Sequence, residues 1–405
     1  MSYEDPGDPQ VMNGEAWAAF CDELKAAGQV VLRDDMPGTP RDRAEGFRYL
    51  TRLMRASLLT RLEGMDADYP RLVTPCTDTQ KYGLENPDCW YQQAKLRGDA
   101  TYRIWGNRGT VRFLGFQVIG GSFGHSNPYK TGSTLNANDM QVEADGSFEL
   151  ILSPERHDGN YLWLSEHSRA VLVRQFFYDW EEEIPAELFI ERIDGPLTHQ
   201  PITTTFLAKR LPAVSSWVGE TANFWCDHVL GERAKDGVNT LTAPGTPGGE
   251  DNTTNTGGTG AEENAYGHGY LKLAPDEAYY IEVTPPKCHY WNFQLGNVWW
   301  ESLDYANHQT NLNGHSAYIG PDGVFRCVVA HEDPGVWNWL DTTGLEDLLV
   351  LYRFQLAESS PAPSCRVVKV ADIPSCFPAD TPRVTRKERD AETVKRRMLV
   401  ARRFR

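Results

Sequence analysis

Carboxylate, histidine and amide side chains stand between large aromatic residues in two stretches of the second half of the sequence. Residues 289–305 read HYWNFQLGNVWWESLDY, and residues 331–344 read HEDPGVWNWLDTTG. Two carboxyl groups can divide the acid and base roles of a reaction when burial separates their pKa values, and a nearby imidazole can carry the proton. The predicted catalytic residues are Asp341, His331, Glu301 and Asp304.

The same stretches suit the recognition of a small, partly apolar or sugar-like molecule. Tryptophan and tyrosine rings stack on apolar ring faces, while amide and carboxylate groups bind hydroxyl groups. We expect a cofactor-free hydrolase or lyase. Two alternatives stay open: a non-catalytic carbohydrate or small-molecule binding protein, and a structural or assembly protein whose loops these residues brace. The predicted substrate-binding residues are Tyr290, Gln294, Asn297, Asn338, Trp339 and Arg353.

Motifs of several cofactor-dependent enzymes are missing. The sequence has no Gly-x-x-x-x-Gly-Lys phosphate loop and no His-Glu-x-x-His zinc motif. Residues 106–115, GNRGTVRFLG, lie between predicted strands, whereas a dinucleotide-binding loop joins a strand to a helix. The ten histidines include no pair at a recognised zinc spacing, although a metal bound from distant strands stays open. We therefore expect no cofactor and no bound metal.

The charge balance bears on partners and location. The chain has 405 residues and a net charge of −16, whereas nucleic acids and anionic membranes are bound by clustered basic residues. No stretch approaches the length of an apolar membrane-spanning segment, and no basic and then apolar leader opens the sequence. We expect a cytoplasmic protein that binds a small molecule, binds no nucleic acid and does not insert into a membrane. A homo-oligomer stays open.

The C-terminal segment reverses this charge balance. Residues 383–405 contain ten basic and three acidic residues. The pattern predicts a basic helix, which either lies on the acidic body of the protein or serves as an arm for a partner or a membrane. The eight cysteines form no Cys-x-x-Cys pair and no compact cluster, which indicates reduced, mostly buried thiols.

A β-rich pattern occurs twice in the sequence. Residues 145–164, DGSFELILSPERHDGNYLWL, align with residues 322–340, DGVFRCVVAHEDPGVWNWL, across a single gap. The repeat predicts a mainly β fold with helical additions, in which two tandem β-sandwich or jelly-roll-like units follow each other. Arg174 and Arg353 should then occupy equivalent places.

Two further matches extend the repeat. Residues 170–176 pair with 348–354, and residues 101–107 pair with 289–297. Helical periodicity is confined to residues 13–28, 41–64 and 211–234, and to the basic C-terminus. The predicted organisation is an N-terminal helical region and connector (1–88), a first β-unit (89–195), a helical connector with a Gly-rich loop (196–264), a second β-unit (265–360) and a C-terminal extension with the basic helix (361–405).

The loop at residues 243–264 is rich in glycine, threonine and asparagine and has almost nothing to bury. It is either a plain surface loop or a lid over a site in the second β-unit. As a lid, it should have Tyr266 and His268 at its hinge.

At residues 289–305 and 328–344 the sequence resembles the domain-of-unknown-function 1214 family, with PDGVFRCVVAHEDPG overlapping the second stretch in the family order. Looser similarity to larger bacterial members covers most of the chain beyond about residue 85. The resemblance implies a bacterial, single-chain member with a β-sandwich or jelly-roll fold and no settled chemistry. Glu346 and Asp347 depart from the glycine and positive side chain that many members have there.

Overall fold

The chain has the mainly β fold with helical additions that its sequence predicts. The computed structural model describes residues 5–121, 130–247, 260–261 and 263–404. In this part of the chain, sixteen strands form four four-stranded sheets. None of the helices described is both long enough and apolar enough to cross a membrane.

Two compact units make up the chain, and each is assembled from separate segments. The first comprises Met1–Gln80, Trp90–Gln175 and Ile184–Phe224, and the second comprises Lys81–Cys89, Phe176–Glu183 and Trp225–Arg405. The two short segments therefore belong to the second unit, although first-unit residues flank them in the sequence. Each unit therefore combines segments that are separated in the sequence.

Helices occupy the places where the sequence shows helical periodicity. They are α1 (Pro9–Met12), α2 (Glu15–Ala27), α3 (Pro40–Ser57) and α4 (Thr204–Asp236), with a 3-10 helix at Gly28–Leu32 and a π-helix at Leu58–Glu63. The start of α3 is fixed by a capping box, because Thr39 and Asp42 each accept a hydrogen bond from the other's backbone N–H.

Eight strands form two sheets, most of whose residues belong to the first unit. The strands are β1 (Cys89–Lys95), β2 (Tyr102–Asn107), β3 (Phe113–Gly120), β4 (Lys130–Asn136), β5 (Ser147–Ser153), β6 (Tyr161–Trp163), β7 (Ala170–Phe176) and β8 (Glu187–Arg192). Their orders are β1-β7-β3-β4 and β6-β5-β2-β8. Strand β2 runs antiparallel to both neighbours, whereas β5 and β6 run parallel.

Eight further strands form the two sheets of the second unit. They are β9 (Asn264–Lys272), β10 (Glu277–Val283), β11 (Tyr290–Gly296), β12 (Asn311–Asn313), β13 (Phe325–Ala330), β14 (Trp339–Asp341), β15 (Asp347–Gln355) and β16 (Ser364–Lys369). Their orders are β12-β11-β15-β9 and β14-β13-β10-β16. A 3-10 helix (Val370–Asp372), a short helix (Ile373–Cys376) and the C-terminal helix (Arg386–Arg403) follow.

The strand orders confirm the internal repeat. Adding eight to each strand number of the first unit gives the sheets of the second unit, and the parallel pair β5–β6 recurs as β13–β14. Arg174 lies on β7 and Arg353 on β15, so the two arginines lie on corresponding strands. Both side chains are buried. The prediction of two tandem β-units is therefore confirmed.

One pairing inferred from the sequence is wrong. Residues 101–107 contain β2, whose counterpart in the second unit is β10, whereas residues 289–297 contain β11, the counterpart of β3. The Gly-Asn pair that follows the apolar residues in both segments made them look alike. Turn residues recur at the ends of many strands, so they do not identify which strand they end.

A repeated aspartate–glycine turn explains part of the sequence repeat. The glycines at 146 and 323 have φ angles of 83° and 78°, a left-handed conformation that glycine adopts without a steric penalty. The preceding aspartate in each copy accepts a hydrogen bond from the backbone N–H two residues ahead. These shared residues therefore shape the turn.

The second unit has an apolar core on one face of the β12-β11-β15-β9 sheet and buried polar residues on the other. Trp291, Phe293 and Leu295 of β11 belong to the core. The alternate residues Asn292 and Gln294 are completely buried on the opposite face, because successive strand residues point to opposite sides. The segment Lys81–Cys89 covers part of this polar face.

Candidate functional site

Asp341, one of the predicted catalytic residues, lies in contact with a histidine. Its Oδ2 lies 2.7 Å from Nδ1 of His308, and its Oδ1 accepts a hydrogen bond from the N–H of Thr343. The carboxylate is mostly buried, while 41% of the His308 side chain is exposed. A buried carboxylate thus orients a partly exposed imidazole, an arrangement found in catalytic histidine–aspartate pairs.

His331 is held by other groups. Its Nδ1 lies 2.8 Å from Oγ1 of Thr342, and its Nε2 lies 3.2 Å from the carbonyl oxygen of Leu273. The parallel pairing of β13 with β14 places Ala330 opposite Asp341, so His331 follows directly in the chain. Both of its ring nitrogens nevertheless bond within the fold, and the histidine bonded to Asp341 is His308, which the sequence analysis does not include.

Asn338 and Trp339 brace the backbone. Asn338 accepts a hydrogen bond from the N–H of Tyr318 and donates to the carbonyl oxygens of Tyr318 and Arg326. Trp339 donates from its indole nitrogen to the carbonyl oxygen of Ala330. Buried polar groups require such partners, so these contacts explain why polar and aromatic residues alternate in this corner.

Four more predicted residues belong to a buried polar network on and beside β11. Asn297 donates to the Glu301 carboxylate over 2.9 Å, and Gln294 donates to the carbonyl oxygen of Glu85 over 3.0 Å. Tyr290 donates to Oδ2 of Asp88 over 3.0 Å. Burial, reinforced by the Asp88 carboxylate, raises the pKa of Tyr290 well above its ordinary value. Its hydroxyl group therefore remains a donor.

The remaining two predicted residues lie apart from this network's centre. Asp304 accepts hydrogen bonds from Asn307. Burial would raise the pKa of Asp304, but the Asn307 hydrogen bonds and the nearby Lys81 ammonium together hold it below its ordinary value. The guanidinium carbon of Arg353 lies 5.3 Å from the centre of the Tyr266 ring. Its Nε is buried and makes no hydrogen bond within the described structure.

A cavity of about 360 Å³ lies in the second unit, within the size range of small-molecule sites. The C-terminal helix lines one side of it. None of the ten predicted site residues lines this cavity. Its polar and aromatic lining comprises Asp88, Tyr178, Asp179, Trp180, Gln309, Asn311, Asn313, His315, Ser316, Trp337, Arg383, Glu388, Arg389, Glu392, Lys395, Arg396 and Arg403.

Arginines at intervals of seven residues hold the C-terminal helix against the second unit. Arg389 donates to the Asp333 carboxylate over 2.9 Å and to the carbonyl oxygen of Val336 over 2.8 Å. Arg396 and Arg403 follow at the same spacing and therefore lie on nearly the same face of the helix. The basic segment thus lies on its own protein body, one of the two arrangements that its composition allows.

The Arg396 and Arg403 guanidinium groups determine the electrostatics of the cavity. Arg396 donates to Oδ1 of Asn311 over 3.2 Å, and Arg403 donates to the carbonyl oxygen of Pro87. Burial lowers the pKa of Arg403 to about 9, and that of Arg396 in the same direction, with the Asp88 carboxylate opposing both shifts. Both groups therefore remain charged at neutral pH.

Aromatic rings and amides complete the cavity wall. Trp180 lies under Arg403, with 3.3 Å between the guanidinium carbon and the ring centre, and Trp337 is 41% exposed. Asp88 accepts hydrogen bonds from Tyr290 and from Asn311 over 3.0 Å each. The cavity therefore combines charged groups of both signs, the exposed Trp337 ring and amide groups.

Sequence reasoning missed these residues because they come from distant parts of the chain. The heptad spacing of Arg389, Arg396 and Arg403 is a usable signal, since it places three arginines along one helical face. Asp88 and Trp180 carry no comparable signal. They meet the helix because the segments Lys81–Cys89 and Phe176–Glu183 belong to the second unit.

The predicted lid falls largely outside the described residues, which do not include 248–259 and 262. On its flanks, the N–H of Thr242 bonds to the carbonyl oxygen of His268, and the N–H of Gly245 bonds to that of Tyr266. The proposed hinge residues Tyr266 and His268 thus lie within β9.

Residues 120–124, GGSFG, match the Gly-x-Ser-x-Gly letters of a serine-hydrolase nucleophile motif. That motif requires a strand, a sharp turn and a helix in succession. Here the next described element after β3 is β4, which pairs with β3 in antiparallel fashion. Ser122 itself lies outside the described residues. Among the described residues no helix stands between β3 and β4, so no structural context of a nucleophile is seen there.

Comparison with known proteins identifies relatives but no activity. No family model matches the sequence, and no curated protein matches it. The crystal structure of an uncharacterised protein from Burkholderia cenocepacia is similar over 89% of this chain and 99% of that chain, with a TM-score of 0.85 and 38% sequence identity. The chain belongs to the family of that protein.

A more distant similarity is to the VPA0106 protein from Vibrio parahaemolyticus. It covers 80% of this chain and 98% of that chain, with a TM-score of 0.45 and 12% identity. A similarity this weak supports no inference about function.

Proposed function

We propose that the protein binds a small anionic molecule with hydroxyl groups, of the sugar-acid class, in the cavity beside the C-terminal helix. The observation that supports this is the hydrogen bonding of Arg396 and Arg403. Both guanidinium groups line the cavity, and both donate to neutral oxygen atoms. A ligand carboxylate would give them a charged acceptor, which makes a stronger hydrogen bond than a neutral one.

The charges around these two arginines favour an anion. Arg389 is paired with the Asp333 carboxylate, and Lys395 is paired with Glu181. The Asp88 carboxylate acts on both Arg396 and Arg403, and the Glu392 carboxylate also acts on Arg396. Charges in a partly buried cavity interact more strongly than in water, so an anionic group bound between the two guanidinium groups would be attracted to both.

The uncharged part of the lining favours hydroxyl groups next to an apolar face. Trp337 offers a ring surface, whereas the Trp180 ring is stacked between Arg403 and Phe177. The amides of Asn311, Asn313 and Gln309 line the cavity and also bond within the protein. Amides donate and accept hydrogen bonds, and tryptophan rings stack on the apolar faces of sugars. This combination supports a hydroxylated ring compound over a purely hydrophobic acid.

Calorimetric titration with glucuronate and galacturonate tests the proposal, with glucose and galactose as uncharged counterparts. We expect the acids to bind and the neutral sugars to bind at least about tenfold more weakly, since a charge-assisted hydrogen bond contributes about 1.5–3 kcal/mol. Arg396→Gln should weaken binding of the acids to a similar extent.

Arg386→Gln is the matched control. Arg386 lies on the same helix and pairs with Asp390, but it does not line the cavity. Its replacement should leave the affinity unchanged. Equal affinity for acids and neutral sugars, no binding of either, or equal losses in the two variants would contradict the proposed anion site.

A hydrolase or lyase is the second candidate function, and the geometry of Asp341 and His308 favours it. The 2.7 Å contact orients a histidine whose side chain is 41% exposed, so His308 can exchange a proton with a molecule that reaches it from the cavity, although His308 does not line the cavity itself. The neighbouring Gln309 lines the cavity. His308→Gln should abolish cleavage of a uronate-containing disaccharide without changing binding of the free acid, whereas retained cleavage would refute this role.

We also propose that the chain is a bacterial, cytoplasmic member of the domain-of-unknown-function 1214 family. The resemblance at residues 289–305 and 328–344 supports the family assignment. We further propose that the protein forms a homo-oligomer. Light scattering of the purified protein would test this by measuring its molar mass.

A further inference from the structure

A histidine and two carboxylates meet where α4 ends beside β9, away from the cavity. Glu232 and Asp236 lie four residues apart in the last turns of α4 and so project from the same side of the helix. His268 lies on β9, and all three residues belong to the second unit. One oxygen or nitrogen atom from each residue lies within 4.8 Å of the others.

The distances between these atoms suit a shared cation. His268 Nε2 lies 3.0 Å from Oε2 of Glu232 and 3.6 Å from Oδ2 of Asp236. A metal ion about 2.1 Å from each ligand atom places neighbouring ligands about 3.0 Å apart in octahedral geometry and about 3.4 Å apart in tetrahedral geometry. The two distances from the imidazole are therefore close to those between ligands of one ion, and the two carboxylate oxygens lie within 4.8 Å of each other.

The hydrogen bonding gives a second, independent indication. His268 is only 3% exposed, its Nδ1 makes no hydrogen bond within the described structure, and its Nε2 faces the two carboxylate oxygens. The facing Oε2 of Glu232 and Oδ2 of Asp236 are buried, and within the described structure no partner other than this imidazole donates a hydrogen bond to them. Two carboxylate oxygens that share a single buried imidazole are poorly satisfied, and a bound cation would coordinate both oxygens and Nε2.

The surroundings also favour a positive ion. Asp236 is the last residue of α4, and the end of a helix carries a partial negative charge from its free carbonyl groups. The Lys235 ammonium lies 3.7 Å from Glu232 Oε2 and 3.9 Å from Asp236 Oδ2. Because 56% of the Lys235 side chain is exposed, the ammonium can move into solvent when a metal ion takes its place.

We propose that Glu232, Asp236 and His268 bind a divalent first-row transition metal ion such as Zn²⁺ or Mn²⁺. One imidazole with two carboxylates suits these ions, whereas Ca²⁺ and Mg²⁺ prefer sites built from oxygen ligands alone. The carboxylate side chains are 14% and 22% exposed, which leaves the ion a path from solvent. This assignment departs from the sequence-based expectation that no metal is bound, because α4 and β9 are joined only by the fold.

Metal titration of the untagged, chelator-treated full-length protein tests the proposal. We expect one equivalent of Zn²⁺ or Mn²⁺ to bind by calorimetry, with Ca²⁺ at least about tenfold weaker. Glu232→Gln and Asp236→Asn should each weaken Zn²⁺ binding at least about tenfold, and the double variant should lose it. Circular dichroism and the melting temperature of the metal-free variants establish that they are folded.

His308→Gln is the matched control, because it removes a different histidine–carboxylate pair that has one carboxylate. Its Zn²⁺ affinity should equal that of the unaltered protein. Lys235→Ala should keep or strengthen binding, since it removes a competing positive charge. No binding by the unaltered protein, or unchanged binding by the folded double variant, would overturn the proposal.

Discussion

Replacing Glu85 by glutamine would test how burial of one carboxyl group affects the stability of the second unit. Glu85 is 5% exposed and accepts a hydrogen bond from the Ser302 hydroxyl. Burial raises the pKa of Glu85 from 4.5 to about 7, reinforced by the Glu301 carboxylate and opposed by the Lys81 ammonium and by Ser302. The folded protein therefore keeps a proton on Glu85 in a pH range where the unfolded chain has lost it.

The sign and size of the effect follow from this difference in pKa. Below pH 4.5 the carboxyl group is protonated in both states and adds no pH dependence. As the pH rises from 4.5 to about 7, the unfolded chain releases its proton first, so the folded state is progressively destabilised. A pKa difference of about 2.5 corresponds to about 3 kcal/mol, which is fully lost above pH 7.

Guanidinium denaturation at intervals between pH 4.5 and 8, followed by tryptophan fluorescence, measures the free energy of unfolding. The difference between the unaltered protein and Glu85→Gln isolates the contribution of this carboxyl group. We expect that difference to fall by about 3 kcal/mol across the range, to the disadvantage of the unaltered protein. A constant offset is also expected, because the glutamine amide replaces the carboxyl group that accepts the Ser302 hydrogen bond.

Glu332→Gln is the control, since Glu332 is an exposed glutamate of the same unit. Its pH profile should follow that of the unaltered protein. Parallel profiles for Glu85→Gln and the unaltered protein would refute the reasoning, because they would mean that Glu85 ionises in the folded and unfolded states alike.

Three further substitutions test the packing of the second unit by the same denaturation measurement. Asn338→Ala should lower the free energy of unfolding by about 3 kcal/mol, because it removes three hydrogen bonds and leaves backbone groups of Tyr318 and Arg326 unsatisfied. A decrease below about 1 kcal/mol would contradict the bracing role. Gly267→Ala should lower the free energy of unfolding by about 2–3 kcal/mol, because the new Cβ would lie 2.3 Å from the buried ring of Tyr352. An unchanged free energy of unfolding would show that the ring can move. Gly231→Ala should stabilise by about 0.5–1 kcal/mol, since it lies within α4 with no atom near the added Cβ, and a loss of stability would contradict that open space.

Most of the fold could be predicted from the sequence, because its strongest signals are local. Helical periodicity at residues 13–28 and 41–64 predicted α2 and α3, whereas the Thr39–Asp42 capping box became evident only in the structure. The aspartate–glycine turns and the flanking apolar residues revealed the repeat, since the same local pattern gives the same turn in both copies. The mistaken pairing of residues 101–107 with 289–297 shows the limit, because turn residues alone do not distinguish one strand from the next.

The candidate sites depended on contacts that the sequence does not encode locally. Alternation along β11 predicts that Tyr290, Asn292 and Gln294 share one face, but it does not tell which segment covers that face. The segment Lys81–Cys89 covers this face in the structure. Tyr290 and Gln294, predicted to bind a ligand, therefore belong to a buried hydrogen-bond network. Asp341 was found by sequence, whereas its partner His308 was not, because 33 residues separate them.

The β-rich texture, the duplication and the basic C-terminal helix are evident from the amino-acid sequence, because propensity, periodicity and charge act between residues that are close in the chain. The folded structure was needed to show that Arg396 and Arg403 line a cavity with Asp88 and Trp180, and that His268 faces Glu232 and Asp236. A site requires side chains to lie within a few ångströms in space. Such proximity follows from how strands and helices pack, and residues far apart in the chain carry no local pattern that records it.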